Sequence, residues 1–211
     1  MATKDFDAVL NILKDCYPNA KPMLEFNGTF ELLVAVILSA QCTDKRVNIV
    51  SKTLFQKYNT PETFAMLSVE ELEPLIRTCG LSKSKAKHII DASKKICENF
   101  NGQVPDTREE LMSLDGVGRK TANVVLSVGF GKNAIAVDTH VFRVANRIGV
   151  ANAKDVKKTE LDLMKNIKEE KWGQAHHLLI YHGRAICKAQ KPLCEQCKIN
   201  GYCKYYKKVK K

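Results

Sequence analysis

The 211-residue sequence lacks long hydrophobic runs, and its longest apolar stretch is Leu32–Leu38. Because a membrane-spanning helix needs about 18 or more apolar residues, this stretch predicts a buried central helix instead. The chain opens Met-Ala-Thr-Lys-Asp, without the apolar core that a secretory signal carries. These absences predict a protein with no membrane partner in a reducing cytoplasmic setting, and they leave a nuclear one open.

Strand patterns and low-complexity segments are also missing, and no alternating apolar pattern is longer than Ala134–Val137. Apolar residues instead recur at helical spacing, as in the amphipathic segment Phe6–Tyr17 that Pro18 ends. Ser68-x-x-Glu71 and Thr107-x-x-Glu110 are capping-box signatures of helix N-termini. The sequence therefore predicts an all-α fold, in which spacing alone places no domain boundary.

Acidic residues are outnumbered: 34 Lys and Arg face 23 Asp and Glu, which gives a formal net charge of +11. An excess of this size favours a polyanionic partner, although lysine-rich surfaces also serve solubility. Nucleic acid is the better interpretation where the charge accompanies a specific binding motif.

Four of the eight cysteines cluster as Cys187-x6-Cys194-x2-Cys197-x5-Cys203, and the other four are scattered as core filler. Disulfides are disfavoured in a reducing compartment, so the cluster predicts a metal site. Sets of four cysteines serve both zinc and iron–sulfur centres, and the spacing alone leaves both open.

A second motif is Gly116-Val117-Gly118-Arg119-Lys120, directly before a helical pattern. Glycines allow a tight turn that aims backbone N–H groups at an anion, and a helix N-terminus is suited to phosphate. The positive end of the helix dipole disfavours an ammonium group at Lys120, which makes this lysine a candidate nucleophile. The alternative is an ordinary helix–helix connection with a solvated lysine.

Asp138 follows Lys120 by eighteen residues and precedes a further helical pattern. It is a candidate catalytic carboxylate and also a good N-cap for that helix, and one side chain can do both.

With these motifs in view, the chain resembles the helix-hairpin-helix DNA glycosylases of the endonuclease III family. The resemblance rests on Leu114–Lys120 and Val137–His140, and it extends to motifs spread over nearly the whole chain: Ile37–Gln41, Gly80–Ser82, Asn101–Pro105, Thr121–Val125 and His182–Arg184. One departure is Asp115, where the family more usually has proline.

The resemblance implies two helical domains flanking a cleft, with Lys120 and Asp138 facing each other across it. Residues 22–132 would form a six-helix domain holding the hairpin, and residues 1–21 with 133–211 would form a terminal domain. Gly116, Val117, Gly118 and Arg119 of the hairpin would contact DNA. It also selects a [4Fe-4S] cluster for the four clustered cysteines, with Lys188 and Lys191 of the intervening loop presented to DNA phosphates.

The function that the resemblance implies is a bifunctional glycosylase and abasic-site lyase for oxidised pyrimidines, acting as a monomer on double-stranded DNA with a damaged base or an abasic site. Lys120 would be the nucleophile and Asp138 would stabilise positive charge. Gln41 would fill the gap left by the extruded base, and Leu81 would wedge into the opposite strand. Otherwise Gln41 is a helix C-cap and Leu81 a core anchor.

Three other functions compete. A monofunctional adenine or mismatch glycosylase keeps the aspartate and the cluster but lacks the lysine. A non-catalytic helix-hairpin-helix module needs Gly116 and Gly118 but neither Lys120 nor Asp138. An iron–sulfur electron carrier is disfavoured by a single cluster motif in a basic chain.

Overall fold

The computed structural model describes residues 3–210, with side chains from Asp5 onward. The regular structure of these residues is entirely helical, which confirms the all-α prediction. The α-helices in this part of the chain are α1 Thr3–Cys16, α2 Gly28–Leu38, α3 Asp44–Leu54, α4 Pro61–Ala65, α5 Val69–Ile76, α6 Ser82–Asn99, α7 Arg108–Ser113, α8 Arg119–Val124, α9 Thr139–Ile148, α10 Val156–Asn166, α11 Trp172–Ala185 and α12 Lys204–Val209. Shorter helical turns are the 3-10 helices Arg77–Cys79, Glu169–Lys171, Cys194–Gln196 and Asn200–Tyr202 and the π-helical turn Val125–Gly129.

The chain divides into two compact units, Pro22–Lys132 and Met1–Lys21 together with Asn133–Lys211. The first unit contains seven α-helices, α2 to α8, one more than the six that the resemblance implies. The shortest of them is the five-residue α4, which begins at Pro61 and is capped by Thr60. Proline suits a first helical position because its φ is already helical. A backbone N–H at this position would have no partner within the helix, so its absence in proline costs nothing.

Helix α2 is the centre of the first unit, and every residue from Phe30 to Leu38 is buried, as the apolar stretch predicts. Each leucine or isoleucine buried in this way stabilises the fold by roughly 1.5–3 kcal/mol. The buried carboxylate of Glu31 is satisfied locally, because its Oε2 accepts the Asn27 N–H at 2.6 Å.

The second unit has a separate core, in which α1 packs against α11 and α11 against α9. The predicted amphipathic face of α1 is buried here, with Phe6 and Leu13 each 1% exposed. They pack in one apolar cluster with Val141, Val144 and Ile148 of α9. This core fixes α9, and thereby the residues at its N-terminus.

Of the two predicted capping boxes, only the one at Ser68 forms with both of its bonds. Ser68 Oγ accepts the Glu71 N–H at 3.2 Å while Glu71 Oε2 accepts the Ser68 N–H at 2.8 Å. Thr107 caps α7 through the Glu110 N–H, and its hydroxyl also donates to Glu110 Oε2 at 2.6 Å. Among the described helices, none combines the length and apolarity needed to cross a membrane.

Candidate functional site

Helices α7 and α8 form a hairpin whose turn requires glycine at position 116. Gly116 has φ +75°, a conformation that side chains rarely adopt, and an added Cβ would lie 2.8 Å from Cβ of His88. The turn therefore packs so closely on α6 that only glycine fits.

Gly118 has another role, because its φ of −86° and ψ of 174° are ordinary extended backbone. It is the N-cap of α8 and provides no side-chain hydrogen bond, whereas the neighbouring α7 is capped by Thr107. Beyond its two chain neighbours, no heavy atom of the described residues lies within 4 Å of where a Cβ of residue 118 would stand. The start of α8 is thus open to an anionic group, since the first N–H groups of a helix lack partners inside it.

Val117 is placed differently from the expectation that it contacts DNA. Its side chain is 6% exposed, and its N–H donates to the Leu114 carbonyl at 3.2 Å. Because this N–H is already bonded within the turn, it is not available to a phosphate. The buried Val117 side chain packs the hairpin against the core, and the exposed positions at the turn are Asp115, Gly116 and Gly118. Arg119 follows as a half-buried residue.

Lys120 is an exposed residue in the first turn of α8. Asp138 is half-buried at the N-terminus of α9, where its Oδ1 accepts the Val141 N–H at 2.7 Å. This bond confirms the capping prediction and holds the carboxylate in one orientation, while using one of its two oxygens. Lys120 and Asp138 belong to different units of the chain. Their joint action stays a prediction.

Gln41 and Leu81 share an unusual backbone, since both have positive φ, of 54° and 50°. Ser39 is the C-cap of α2, so the C-cap interpretation of Gln41 is wrong. The core interpretation of Leu81 is also wrong, because its side chain is 56% exposed. Left-handed backbone at non-glycine residues costs free energy and often marks functional positions.

The four clustered cysteines line one pocket, together with apolar residues that include Ile148, Ile186 and Ile199. None of the chain's eight cysteines forms a disulfide. Of the four scattered ones, predicted as core filler, only Cys79 is buried, and Cys16 is exposed.

The side chains that line this pocket fit an iron–sulfur cluster. A tetrahedral zinc site with bonds of 2.3 Å brings its sulfur atoms to about 3.8 Å from one another. Within residues 5–210, no three His, Cys, Asp or Glu side chains form a site for a single metal ion. Four cysteines that line one apolar-walled pocket are the donor set of an iron–sulfur cluster.

Burial raises the pKa of Cys197 to about 11, and it also raises the pKa of Cys194 and Cys203. The neighbouring sulfurs contribute in the same direction, because thiolates repel one another. Thiolate is the ligating form, so a cationic occupant is needed to make these residues ligands at neutral pH.

Two arginines of α9 bind the backbone of the segment between Cys187 and Cys194. Arg147 donates to the Lys188 carbonyl at 2.6 Å and to the Ala189 carbonyl at 2.9 Å. Arg143 donates from Nε to the Cys187 carbonyl at 2.9 Å. This brace was not predicted, and the available signal was two arginines four residues apart on one helix.

Lys188 and Lys191 are both exposed on this braced segment, and Lys191 has φ +47°. The segment therefore presents two cations on a fixed backbone. Their contact with phosphate stays a prediction.

Comparison with known proteins places the chain in a family. Residues 34–169 match the HhH-GPD superfamily of base excision DNA repair proteins, and residues 187–203 match the iron–sulfur binding domain of endonuclease III. Endonuclease III of Bacillus subtilis is 50% identical over 202 residues, covering 95% of this chain and 92% of the relative. That of Escherichia coli is 46% identical over 201 residues, covering 95% of both chains.

Solved structures agree. A trapped endonuclease III–DNA covalent intermediate has a TM-score of 0.93 at 45% identity and covers 100% of both chains. A non-covalent endonuclease III–DNA complex has the same score and identity. A thermostable thymine-DNA glycosylase, at 23% identity and a TM-score of 0.84, shares the fold.

These matches confirm the predicted resemblance, the DNA partner and the iron–sulfur cluster. The chain belongs to the endonuclease III family of helix-hairpin-helix proteins, the bifunctional DNA glycosylases and abasic-site lyases of base excision repair.

Proposed function

We propose that this protein excises oxidised pyrimidines from duplex DNA and cuts the strand 3′ to the resulting abasic site, with Lys120 as the nucleophile. We further propose that it acts as a monomer on nucleoid DNA in the cytoplasm. The observation that carries the proposal is the exposed Lys120 in the first turn of α8, beside an N-terminus that no side chain caps. A phosphate bound at this helix end would bring the adjacent sugar to the amine.

Lys120 has to act as a neutral amine. Its lone pair forms a bond to C1′ while the glycosidic bond breaks, and the base leaves with the electron pair of the glycosidic bond and gains a proton. Loss of the proton on Nζ and opening of the sugar give a Schiff base. Removal of a C2′ proton then expels the 3′ phosphate by β-elimination, and water releases Lys120.

Asp138 would contribute as a carboxylate. Positive charge develops at the sugar as the glycosidic bond breaks, and a fixed negative group nearby lowers the free energy of that state. The cap bond to Val141 supports this role because it orients the carboxylate before substrate arrives. The same group can accept or return the proton of Lys120.

Gln41 and Leu81 would stabilise the opened duplex. Removing a base from the stack costs a few kcal/mol, least for a damaged base. An exposed leucine and an exposed polar residue, both on left-handed backbone, suit a pair in which one side chain fills the gap and the other separates the opposite strand.

The iron–sulfur cluster, when bound, would tie the segment between Cys187 and Cys194 to the rest of the C-terminal region. Arg143 and Arg147 hold the same segment through its carbonyls. Lys188 and Lys191 would then meet DNA phosphates from a preformed loop, which reduces the entropy lost on binding.

A panel of duplexes tests the substrate class. We expect a duplex with one oxidised pyrimidine to be cut at the lesion, leaving a 3′ unsaturated aldehyde and a 5′ phosphate, while undamaged duplex stays intact. Gel mobility and mass spectrometry of the products measure both ends. Release of adenine from a mispair without strand cutting would instead support the monofunctional alternative.

The cluster gives a second prediction. We expect purified protein to be yellow-brown and to contain iron and sulfide in a ratio of about 1:1, as a [4Fe-4S] cubane requires. Cys197→Ser should lose the absorbance, since a serine hydroxyl replaces a thiolate ligand. Cys97→Ser is the matched control, because Cys97 lies outside the cysteine pocket and its variant should keep the colour. Stoichiometric zinc in colourless native protein would contradict the assignment.

A further inference from the structure

Lys85 of α6 is a buried lysine that the mechanism above does not use. Its side chain is 3% exposed, and its Nζ donates to the carbonyl of Leu38 at 2.7 Å and to that of Cys79 at 2.9 Å. In the described part of the chain it forms no ion pair with a carboxylate. Burial lowers the pKa of Lys85, so retaining this ammonium requires compensation from its two acceptors.

Both acceptors terminate helices. Leu38 is the last residue of α2, and Cys79 is the last residue of the 3-10 helix Arg77–Cys79. Carbonyl groups at a helix C-terminus lack partners within the helix and carry partial negative charge. One ammonium therefore binds two helix ends that are 41 residues apart in the chain.

Gln41 and Leu81, the two residues proposed to enter the duplex, are here called the probing pair. Each of the two helix ends leads directly to one of them. Gln41 follows Leu38 by three residues, and Leu81 follows Cys79 by two. Both are exposed and have positive φ. The distance between the two acceptor carbonyls is limited by the two hydrogen bonds to Nζ, and the short connections transmit that limit to Gln41 and Leu81.

We propose that Lys85 is a positioning residue that holds Gln41 and Leu81 in register, so that both enter the duplex as one preformed unit. The inference rests on the proposed roles of Gln41 and Leu81. Lys85 itself is too buried to contact DNA or the reacting atoms. Its function is to keep two separate turns at a fixed spacing.

Lys85→Met tests this, because methionine keeps an unbranched apolar stem and removes the charge and all donors. We expect single-turnover excision from a damaged duplex to fall by about tenfold or more. Borohydride trapping on single-stranded abasic DNA should stay near wild type, since that substrate has no opposite strand and no stack to open. Lys94→Met, an exposed lysine of the same helix, is the matched control and should change neither rate.

Each duplex excision rate is divided by the fraction of protein that borohydride traps on single-stranded abasic DNA. A partly unfolded preparation therefore cannot produce an apparent loss of duplex excision. If Lys85→Met yields no folded protein, Lys85→Gln replaces it, since glutamine retains donors but is shorter. A duplex rate equal to that of Lys94→Met, or an equal loss on both substrates, would overturn the proposal.

A double-mutant cycle distinguishes the positioning role of Lys85 from the roles proposed for Gln41 and Leu81. If Lys85 acts through the probing pair, Lys85→Met should have little further effect in a protein that already carries Gln41→Ala and Leu81→Ala. If Gln41→Ala and Leu81→Ala alone leave duplex excision unchanged, the roles proposed for that pair are wrong. If these substitutions reduce duplex excision and Lys85→Met then causes the same further loss as in the wild-type background, the roles of Gln41 and Leu81 are supported. The positioning role of Lys85 is then wrong.

Discussion

Lys120→Gln is expected to abolish both covalent trapping by borohydride on abasic-site DNA and strand cutting, a loss of at least about a thousandfold in rate. Glutamine has similar length but no nucleophilic amine, so the Schiff base cannot form. Lys120 is exposed, and the free energy of unfolding should therefore change by less than about 0.5 kcal/mol. Affinity for duplex should decrease only modestly, because one cation is lost.

Lys94→Gln is the control, since Lys94 is an exposed lysine of the same unit and its variant should trap normally. Thermal unfolding of both variants shows that the fold is retained. A Lys120→Gln protein that still nicks abasic DNA through a trappable imine would place the nucleophile at another residue.

Asp138→Asn is expected to slow base excision by about a hundredfold or more, because a fixed negative charge is lost where positive charge develops. Asparagine is as good an N-cap as aspartate, and its Oδ1 can still accept the Val141 N–H. Stability should therefore be retained. The loss on a preformed abasic site should be smaller, since amines react readily with aldehydes and no glycosidic bond has to break.

Single-turnover rates on the two substrates measure this asymmetry. Asp155→Asn is the matched control, because Asp155 caps α10 through a similar bond, in which Oδ1 accepts the Lys158 N–H at 2.8 Å. It should leave both rates unchanged. Equal losses on the two substrates would indicate that Asp138 acts after the base has left.

Local signals in the sequence predicted the features that depend on a few neighbouring residues. Ser68, Thr107 and Asp138 cap helices as expected, because a cap bond joins groups three residues apart. The pocket of four cysteines follows from their closeness in the chain, since short segments fold back only within a limited space. Family membership was likewise readable, because the motifs at 114–120 and 137–140 carry it.

Other features depend on contacts between distant segments, which periodicity does not report. The pattern did not predict the burial of Val117, and it left the core interpretation of Leu81 open until the exposure of that side chain excluded it. Arg143 and Arg147 gained their role only when the segment after Cys187 lay against α9, about 40 residues along the chain.

The sequence by itself therefore determined the helices, their caps, the grouping of the four cysteines and the family, since each rests on local backbone chemistry or on a short motif. Only the tertiary structure decided what Lys85 does. A lysine within the apolar stripe of α6 indicates burial at most. Its two acceptors are carbonyls from α2 and from the turn before α6, and no local pattern specifies which helix ends a buried ammonium will meet.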